Sequence, residues 1–413
     1  MALDPVDSRP YRQALVETLR LDGHLHSTRV AAALLAVPRE VFLPGVPVEE
    51  VYRPSEAIVT KRLDGVSVSS ASAPEVIALM LEQLDPQPGD HVLEIGAGTG
   101  YNAALLAHLV GETGRVVSLD IDEDLVLTAR EHLAAVGCTQ VRVVQTDGAL
   151  GYSAERAYDR IILTVASSDI APAWREQLAR PGGRLVLPLA MRGLQRCVVF
   201  VPDPEDDAAL VSRSLRACSF IPLRGLLGLA APRVPPDKEG QWLLGATDDA
   251  PPFASQTIAE LLTEPLRAWS SGVSLSFEEL RMGLHLWLVA HEPKIHTLWG
   301  ASRIPDLFGL GERLGARGTL CLLDTRPPSL ALLAWADEDA AGGELCIVAP
   351  RASGALVDRL RALVTEWVAA GRPNDADLRI RAYPAAAAPQ PRLGEVVLDQ
   401  RWSRLVLSWA RFV

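Results

Sequence analysis

Three acids stand at the ends of apolar runs: Glu94 in His91-Val92-Leu93-Glu94-Ile95, Asp120 closing Val116-Val117-Ser118-Leu119-Asp120, and Asp147 in Thr146-Asp147-Gly148. Gly96, Gly98 and Gly100 lie between the first two. Glycine lets backbone approach a ligand without a Cβ in the way. A carboxylate ending the second strand of such a unit sits where parallel sheets hold a ribose. The expected chemistry is nucleotide binding; the alternative is an ordinary tight turn in an α/β domain with no nucleotide. A second set of groups is the hydroxyl run Ser69, Ser70 and Ser72, just before Pro74. No base accompanies these serines, so they suit hydrogen bonding to an anion and not nucleophilic attack.

The stretch Asp90 to Asp120 reads as strand, loop, helix (Ala103 to Val110) and strand, the opening of a parallel α/β sheet. Its glycines are spaced G-x-G-x-G. Tyr101 occupies the place where a dinucleotide fingerprint has its third small residue, and no Walker Gly-Lys-Ser/Thr follows. The βα rhythm persists: a helix over Leu125 to Val136, strands over Val141 to Val144 and Tyr158 to Thr164, a loop at Val165 to Ser168, a helix over Ile170 to Leu178, and a turn plus strand over Pro181 to Pro188. Upstream, residues 10 to 36 are largely helical until Pro38. Tyr52 to Gly65 reads as a charged, solvated loop, with a lid as the other option. Glu75 to Leu84 is an amphipathic helix, and Ser72 or Ala73-Pro74 could simply cap it.

The G-x-G-x-G turn with Glu94 and Asp120 resembles the class I S-adenosylmethionine (SAM) methyltransferases. That resemblance implies a Rossmann-like doubly wound α/β sheet with N-terminal helices, followed here by a C-terminal α+β domain. It implies SAM as cofactor, held by Glu94, Gly96, Ala97, Gly98, Thr99, Gly100, Asp120, Ile121, Asp147 and Gly148. Glu94 would organise the glycine loop and the methionine end, Asp120 would accept from the ribose hydroxyls, and Asp147 would face the adenine. Val37-Pro38-Arg39-Glu40-Val41-Phe42-Leu43-Pro44, Ser70-Ala71-Ser72-Ala73-Pro74, Pro181-Gly182-Gly183-Arg184-Leu185 and Phe220-Ile221-Pro222-Leu223 further resemble the protein-L-isoaspartate O-methyltransferase family over about residues 10 to 225. Ser70 stands where that family has Thr, and Ser69 where it often has Gln. By this resemblance Ser72 and Ser70 are the catalytic contacts. Ser69, Ser72, Ala166, Ser167 and Pro188 form the substrate side.

Carboxylate methylation fits this inventory, because the acceptor is already ionised near neutral pH and needs no strong base. Alignment within near-attack distance is the main demand. The chain would divide into an N-terminal helical and pocket segment (1–75), a methyltransferase core (76–228), a Pro-rich linker (229–254) and a C-terminal accessory domain (255–413) for peptide recognition. On that division, the accessory domain is expected to be dispensable for cofactor binding. The repair enzymes of the family typically end soon after the Pro-Leu phrase. Longer variants resemble those accompanying ribosomally made modified peptides such as graspetides and lanthipeptides, where an aspartyl ester closes to aspartimide. Three readings follow: tailoring of a modified precursor peptide, repair of isoaspartyl proteins, and a catalytically inactive peptide-binding protein of the same fold.

With 413 residues, 48% hydrophobic and 22% charged, the chain has a globular composition. Its net charge of −11 argues against a nucleic-acid partner. No apolar run reaches membrane-spanning length, and a cytoplasmic setting is expected. The five cysteines are scattered, without zinc or disulfide spacing. His285, His291 and His296 do not share a helix face, so no metal is expected. The oligomeric state is not legible.

Overall fold

Apolar residues at helical spacing build two N-terminal helices, Arg9–Leu21 and Thr28–Ala36. They bury Leu15, Val16, Leu19, Val30 and Leu34. The Ser27 side chain caps the second by accepting from Val30 N–H. In the computed structural model, which describes residues 7–155, 157–228, 242–244, 255–300, 319–336 and 343–410, a single turn at Arg39–Phe42 follows. Next comes a hairpin of β1 (Ile58–Leu63) and β2 (Val66–Ala71). Asp64 and Gly65 form its turn at φ +49° and +77°. Two left-handed residues in a two-residue loop match the right-handed twist of the flanking strands. Tyr52 to Gly65 is therefore not a plain solvated loop: its second half is strand, and Asp-Gly was the signal.

After the helix Pro74–Leu84 the βα units begin. Strands β3 (His91–Ile95), β4 (Arg115–Asp120), β5 (Val141–Gln145), β6 (Arg160–Leu163) and β7 (Arg184–Met191) pair in parallel, in the order β7-β6-β3-β4-β5. Helices Tyr101–Val110 and Glu123–Ala135 follow β3 and β4. Near-continuous apolar strands such as Val92, Leu93 and Ile95, all 1% exposed or less, fit a sheet covered on both faces. Strand β8 (Leu194–Pro202) then extends it antiparallel to β7, and β9 (Leu210–Ala217) pairs antiparallel to β8.

The C-terminal part departs from an independent accessory domain. Strands β10 (Trp242–Leu244), β11 (Leu266–Leu275), β12 (Ile295–Gly300), β13 (Thr319–Thr325), β14 (Pro328–Ala336) and β15 (Gly343–Pro350) form their own sheet, ordered β10-β12-β13-β14-β15-β11. Most of the expected linker, 229–254, lies outside the described residues; its described piece, β10, is a strand paired with β12. Ser276 and Glu279 make a reciprocal cap, each side chain accepting the other's backbone N–H, at the start of the helical stretch that carries His285–His291. Beyond the amphipathic helix Gly354–Ala369, β16 (Leu378–Pro384), β17 (Val396–Asp399) and β18 (Ser403–Trp409) rejoin the methyltransferase sheet. Among the described residues that sheet thus has ten strands, and β16 adds to the edge of β9 through Arg381 opposite Val211 and Ala382 opposite Leu210.

One continuous apolar core runs from Leu93, Leu163 and Leu187 to Leu286, Leu345, Leu360, Trp367 and Trp409. Polar ties cross the same boundary. Asp169, 2% exposed, accepts from Trp402 N–H and the Ser403 hydroxyl. Arg175 donates to the Ala382 and Tyr383 carbonyls, and Arg196 pairs with Asp375 at 2.9 Å. The alternation in 378–383 and 403–409 identifies strands, but not their partner: an edge far upstream in the chain leaves no mark on local periodicity.

Removing residues after Gly228 uncovers the β9 edge and strips that shared core. The truncated chain is expected to aggregate, or to melt more than about 10 °C below the full chain. About 1 kcal/mol moves the midpoint by roughly 2–4 °C at this size, and core exposure costs several kcal/mol. Size-exclusion chromatography and a thermal melt measure this. An unchanged melting temperature would mean that the two parts fold independently.

Candidate active site

The carboxyl ends of β3 and β4 meet beneath the β1–β2 hairpin, as expected for ligand clefts in open α/β sheets. The turn after β3 is held on both sides. Gly96 and Ala97 N–H donate to Leu119 O at 2.8 and 2.9 Å. The Thr164 hydroxyl donates to Gly96 O at 2.7 Å. Gly96 has φ +104°, and a Cβ there would lie 2.6 Å from Thr164 Oγ1. Glycine is therefore required twice, by backbone conformation and by the close approach. Gly98 N–H donates to Asp120 Oδ2 at 2.9 Å, and Asp122 N–H to Oδ1 at 3.2 Å. Burial pushes the Asp120 carboxyl up, and these two N–H groups oppose that.

Glu94 is fully buried under the turn. It accepts from Asn102 Nδ2 at 2.8 Å and from the Ser118 hydroxyl, bridging the start of the helix Tyr101–Val110 to β4. Burial pushes its carboxyl up to about 7, against the pull of both hydrogen bonds.

The hairpin forms the opposite wall. Ser69, Ser70 and Ser72 line a cleft of about 990 Å³, open mouth included, together with Gly96, Gly98 and Asp120. The Thr60 hydroxyl donates to Ser69 Oγ at 2.9 Å. The helix Pro74–Leu84 has Ala73 as N-cap and no side-chain cap bond. Ser72 is thus not the capping residue, and its carbonyl is fixed by Arg39 Nη2 at 2.9 Å. At the mouth, Lys61 Nζ pairs with Asp122 at 2.8 Å and Asp124 at 2.6 Å, and Arg224 pairs with Asp122 at 2.6 Å. Arg224 is the main cause that holds the Asp122 carboxyl below its ordinary range.

The structure brings together Ser69, Ser70, Ser72, Gly96, Ala97, Gly98, Thr99, Asp120, Ile121 and Gly148. Glu94 acts from beneath, and Gly100 caps the helix Tyr101–Val110 behind the turn at φ +88°. Four expected residues lie elsewhere. The Asp147 carboxylate accepts from Ala149 N–H at 2.9 Å and Leu226 N–H at 2.7 Å, so it pins backbone and does not line the cleft. Ala166 and Ser167 are 0% exposed. The Ser167 hydroxyl donates inward to Asp169 O at 2.7 Å. Pro188 lies buried within β7, opposite Cys197. The loop after β6 turns into the sheet because Ala166 bridges Pro222 and Ser167 bridges Leu189. Thr164 and Val165, with Phe220 to Arg224, take that wall instead.

Sequence reasoning did not assign Arg39, Tyr101, Asn102 and Arg224, which also line the cleft. The available signals were Arg39 in the Val-Pro-Arg-Glu phrase and Tyr101 in the third-glycine position. Nothing local marked Asn102 or Arg224. Among the described residues no cluster of His, Cys, Asp and Glu could hold a metal.

The buried Glu94 makes a pH prediction. Its folded-state value, about 7, lies above the ordinary 4.5. The folded state therefore holds the extra proton, and stability is lost as pH rises from about 4.5 to 7. Glu94→Gln is expected to flatten that part of the melting-temperature profile, measured by calorimetry between pH 5 and 8. An unaltered slope would assign it to another group.

Known proteins share these features. The family model described as Protein-L-isoaspartate(D-aspartate) O-methyltransferase (PCMT) matches residues 10–227. A protein-L-isoaspartate O-methyltransferase of Methanopyrus kandleri is 37% identical over 233 residues, spanning 56% of this chain and 99% of that protein. One from Aeropyrum pernix is 39% identical over 223 residues, 53% of this chain and 82% of its own. A solved structure named protein-L-isoaspartate O-methyltransferase superposes with a TM-score of 0.51 at 24% identity. It covers 90% of this chain and 96% of its own, a likeness of fold that runs past the matched core. The chain belongs to the protein-L-isoaspartate O-methyltransferase family and, with it, is a SAM-dependent methyltransferase.

Proposed function

We propose that this enzyme methylates an aspartyl-type carboxylate in a peptide chain, and that its substrate is a ribosomally made modified peptide. The observation that carries carboxylate methylation is the serine wall, Ser69, Ser70 and Ser72, facing the glycine turn and Asp120 across one cleft. The residues fit SAM: Gly96 leaves room where a Cβ would clash, and Asp120 ends β4 as a ribose acceptor. SAM, when bound, supplies a methyl group on a sulfonium that is its own leaving group. The chain supplies alignment. Asp120 and the Gly96–Gly98 turn hold the donor side, and the Ser72 hydroxyl donates to the acceptor carboxylate and orients one oxygen for in-line attack. A hydroxyl desolvates the anion without protonating it. The product ester is an activated acyl group. The next backbone nitrogen can add to its carbonyl carbon and expel methanol, which closes a five-membered succinimide.

The dedicated-peptide reading is supported by the charged hairpin around Lys61, by Ser69 and Ser70 at variant positions, and by the large C-terminal part. Repair of isoaspartyl proteins is the second reading. It is favoured by identity over nearly the whole Methanopyrus kandleri protein, and by the solved structure whose fold likeness extends past residue 227. A cytoplasmic setting belongs to the same proposal. Among the described residues no helix is long and apolar enough to cross a membrane.

Incubation with an isoaspartyl hexapeptide and, separately, with a cyclised precursor peptide decides between the two. Fast methylation of the hexapeptide counts for repair; methylation of the precursor alone counts for tailoring. Ser72→Ala is expected to lower kcat about 10- to 100-fold, the scale of one hydrogen bond to a charged group. Affinity for S-adenosylhomocysteine should stay within about twofold. Unchanged turnover would remove Ser72 from the chemistry. Lys61→Ala is expected to raise the dissociation rate of S-adenosylhomocysteine about threefold or more, because truncating one partner of a partly buried, hydrogen-bonded charge pair acts mainly on the dissociation rate. Stopped-flow release measures it, and an identical rate would show that the hairpin does not gate the mouth.

A further inference from the structure

Arg39 is a buried cation in the cleft wall that meets no carboxylate. It is 0% exposed and lines the cleft. Two of its nitrogens are committed to backbone: Nε donates to Val51 O and Nη2 to Ser72 O, both at 2.9 Å. Nη1 has no hydrogen-bond partner. The Tyr101 hydroxyl, in a side chain that is 3% exposed and lines the same cleft, has none of full hydrogen-bond geometry either; it and Arg39 touch each other only weakly. The guanidinium carbon lies 4.9 Å from the centre of the Tyr101 ring. The neighbouring acid Glu40 is engaged by the Tyr52 hydroxyl. Burial pushes Arg39 down, and the nearby Tyr101 and Tyr52 only partly relieve it. Burial also pushes the Tyr101 phenol up to about 12, so it remains a donor.

A buried guanidinium without an anion is costly, and such charges are normally paired. Two unused donors, one of them charged, sit together in the wall of a cleft built for a reaction on a carboxylate. We propose that Arg39 Nη1 and the Tyr101 hydroxyl form a carboxylate subsite in this cleft. The inference deepens the proposed function and rests on it. Two carboxylates are available to such a site: the methionine end of the cofactor and the acceptor of the peptide. Either one would be linked to Ser72, because the same guanidinium holds the Ser72 carbonyl.

The test uses the full chain with Tyr101→Phe, which removes one oxygen and keeps the ring, and Arg39→Lys. Calorimetry gives affinities for S-adenosylhomocysteine and for 5′-methylthioadenosine, which lacks the amino-acid end. Kinetics give kcat and KM for an isoaspartyl peptide. If the cofactor carboxylate occupies the subsite, both variants weaken S-adenosylhomocysteine about tenfold or more, the scale of a hydrogen bond to a charged group, and leave 5′-methylthioadenosine unchanged. If the acceptor occupies it, peptide KM rises about tenfold with both nucleotide affinities unchanged. Either result supports the subsite. Values within twofold of wild type on every readout overturn it, as do equal losses for the two nucleotides, which would mark a structural role in the wall. A wild-type chain that methylates no peptide would defeat the proposed function first. The two nucleotides alone would then judge the subsite, and unchanged affinity for S-adenosylhomocysteine would overturn it.

Discussion

The hydrogen bond from Gly98 N–H to the Asp120 carboxylate, 2.9 Å long, sets the working distance of the whole site. It joins the loop after β3 to the last residue of β4, and it can form only because the two strands run parallel in register, Ile95 beside Leu119. Glu94 locks the same pair from below through Ser118 and Asn102. The turn thus has an acid on each side, one facing the cleft and one sealed beneath. Their environments differ accordingly. Asp120 accepts two backbone N–H groups, whereas Glu94 is wholly enclosed and its carboxyl is pushed up to about 7. Two acids of similar sequence context therefore do different work: the first is available to a ligand, and the second serves as scaffolding.

The donor half of the site was legible because its constraints are local. Glycines that a Cβ would spoil, and an acid at a strand end, are properties of a few consecutive residues. Asp147 shows the limit of that reasoning. It does follow β5, but its carboxylate is captured by Leu226 N–H, and Gly225 must lack a Cβ for the approach, since one there would lie 2.2 Å from Asp147 Oδ2. The competing donor lies 79 residues away, and no local pattern announces it. Ala166, Ser167 and Pro188 failed for the same reason. Small and polar residues at a strand end suggest a pocket, yet the bridges from Ala166 to Pro222 and from Ser167 to Leu189 draw that loop into the sheet.

The C-terminal part follows the same logic at larger scale. Elements were readable and partnerships were not. Strand alternation identifies 378–383, but β9 offers an open edge, and open edges are satisfied by whatever strand the chain can bring to them. Once β16 docks there, Asp169 lies against Trp402 and Ser403, and Arg175 against the Ala382 and Tyr383 carbonyls. The loop that carries Ala166 and Ser167 is thereby backed by the C-terminal strands. Residues far from the cleft can then position the Thr164–Val165 wall through packing, without lining it.

The hairpin ties these levels together. Ser69 and Ser70 stand on β2, and Thr60 and Lys61 on its partner strand β1. Thr60 reaches across to Ser69, while Lys61 reaches to Asp122, two residues past Asp120. Arg224, just after the Phe220 to Leu223 segment, meets the same Asp122. Asp122 is therefore the common anchor of the serine wall and of the segment that closes the other side of the cleft. A displacement of the hairpin relative to the end of β4 would have to break or carry this anchor. The pairs are partly buried, so salt screens them less than it would surface pairs. The two walls of the cleft are thus tied to each other through one aspartate.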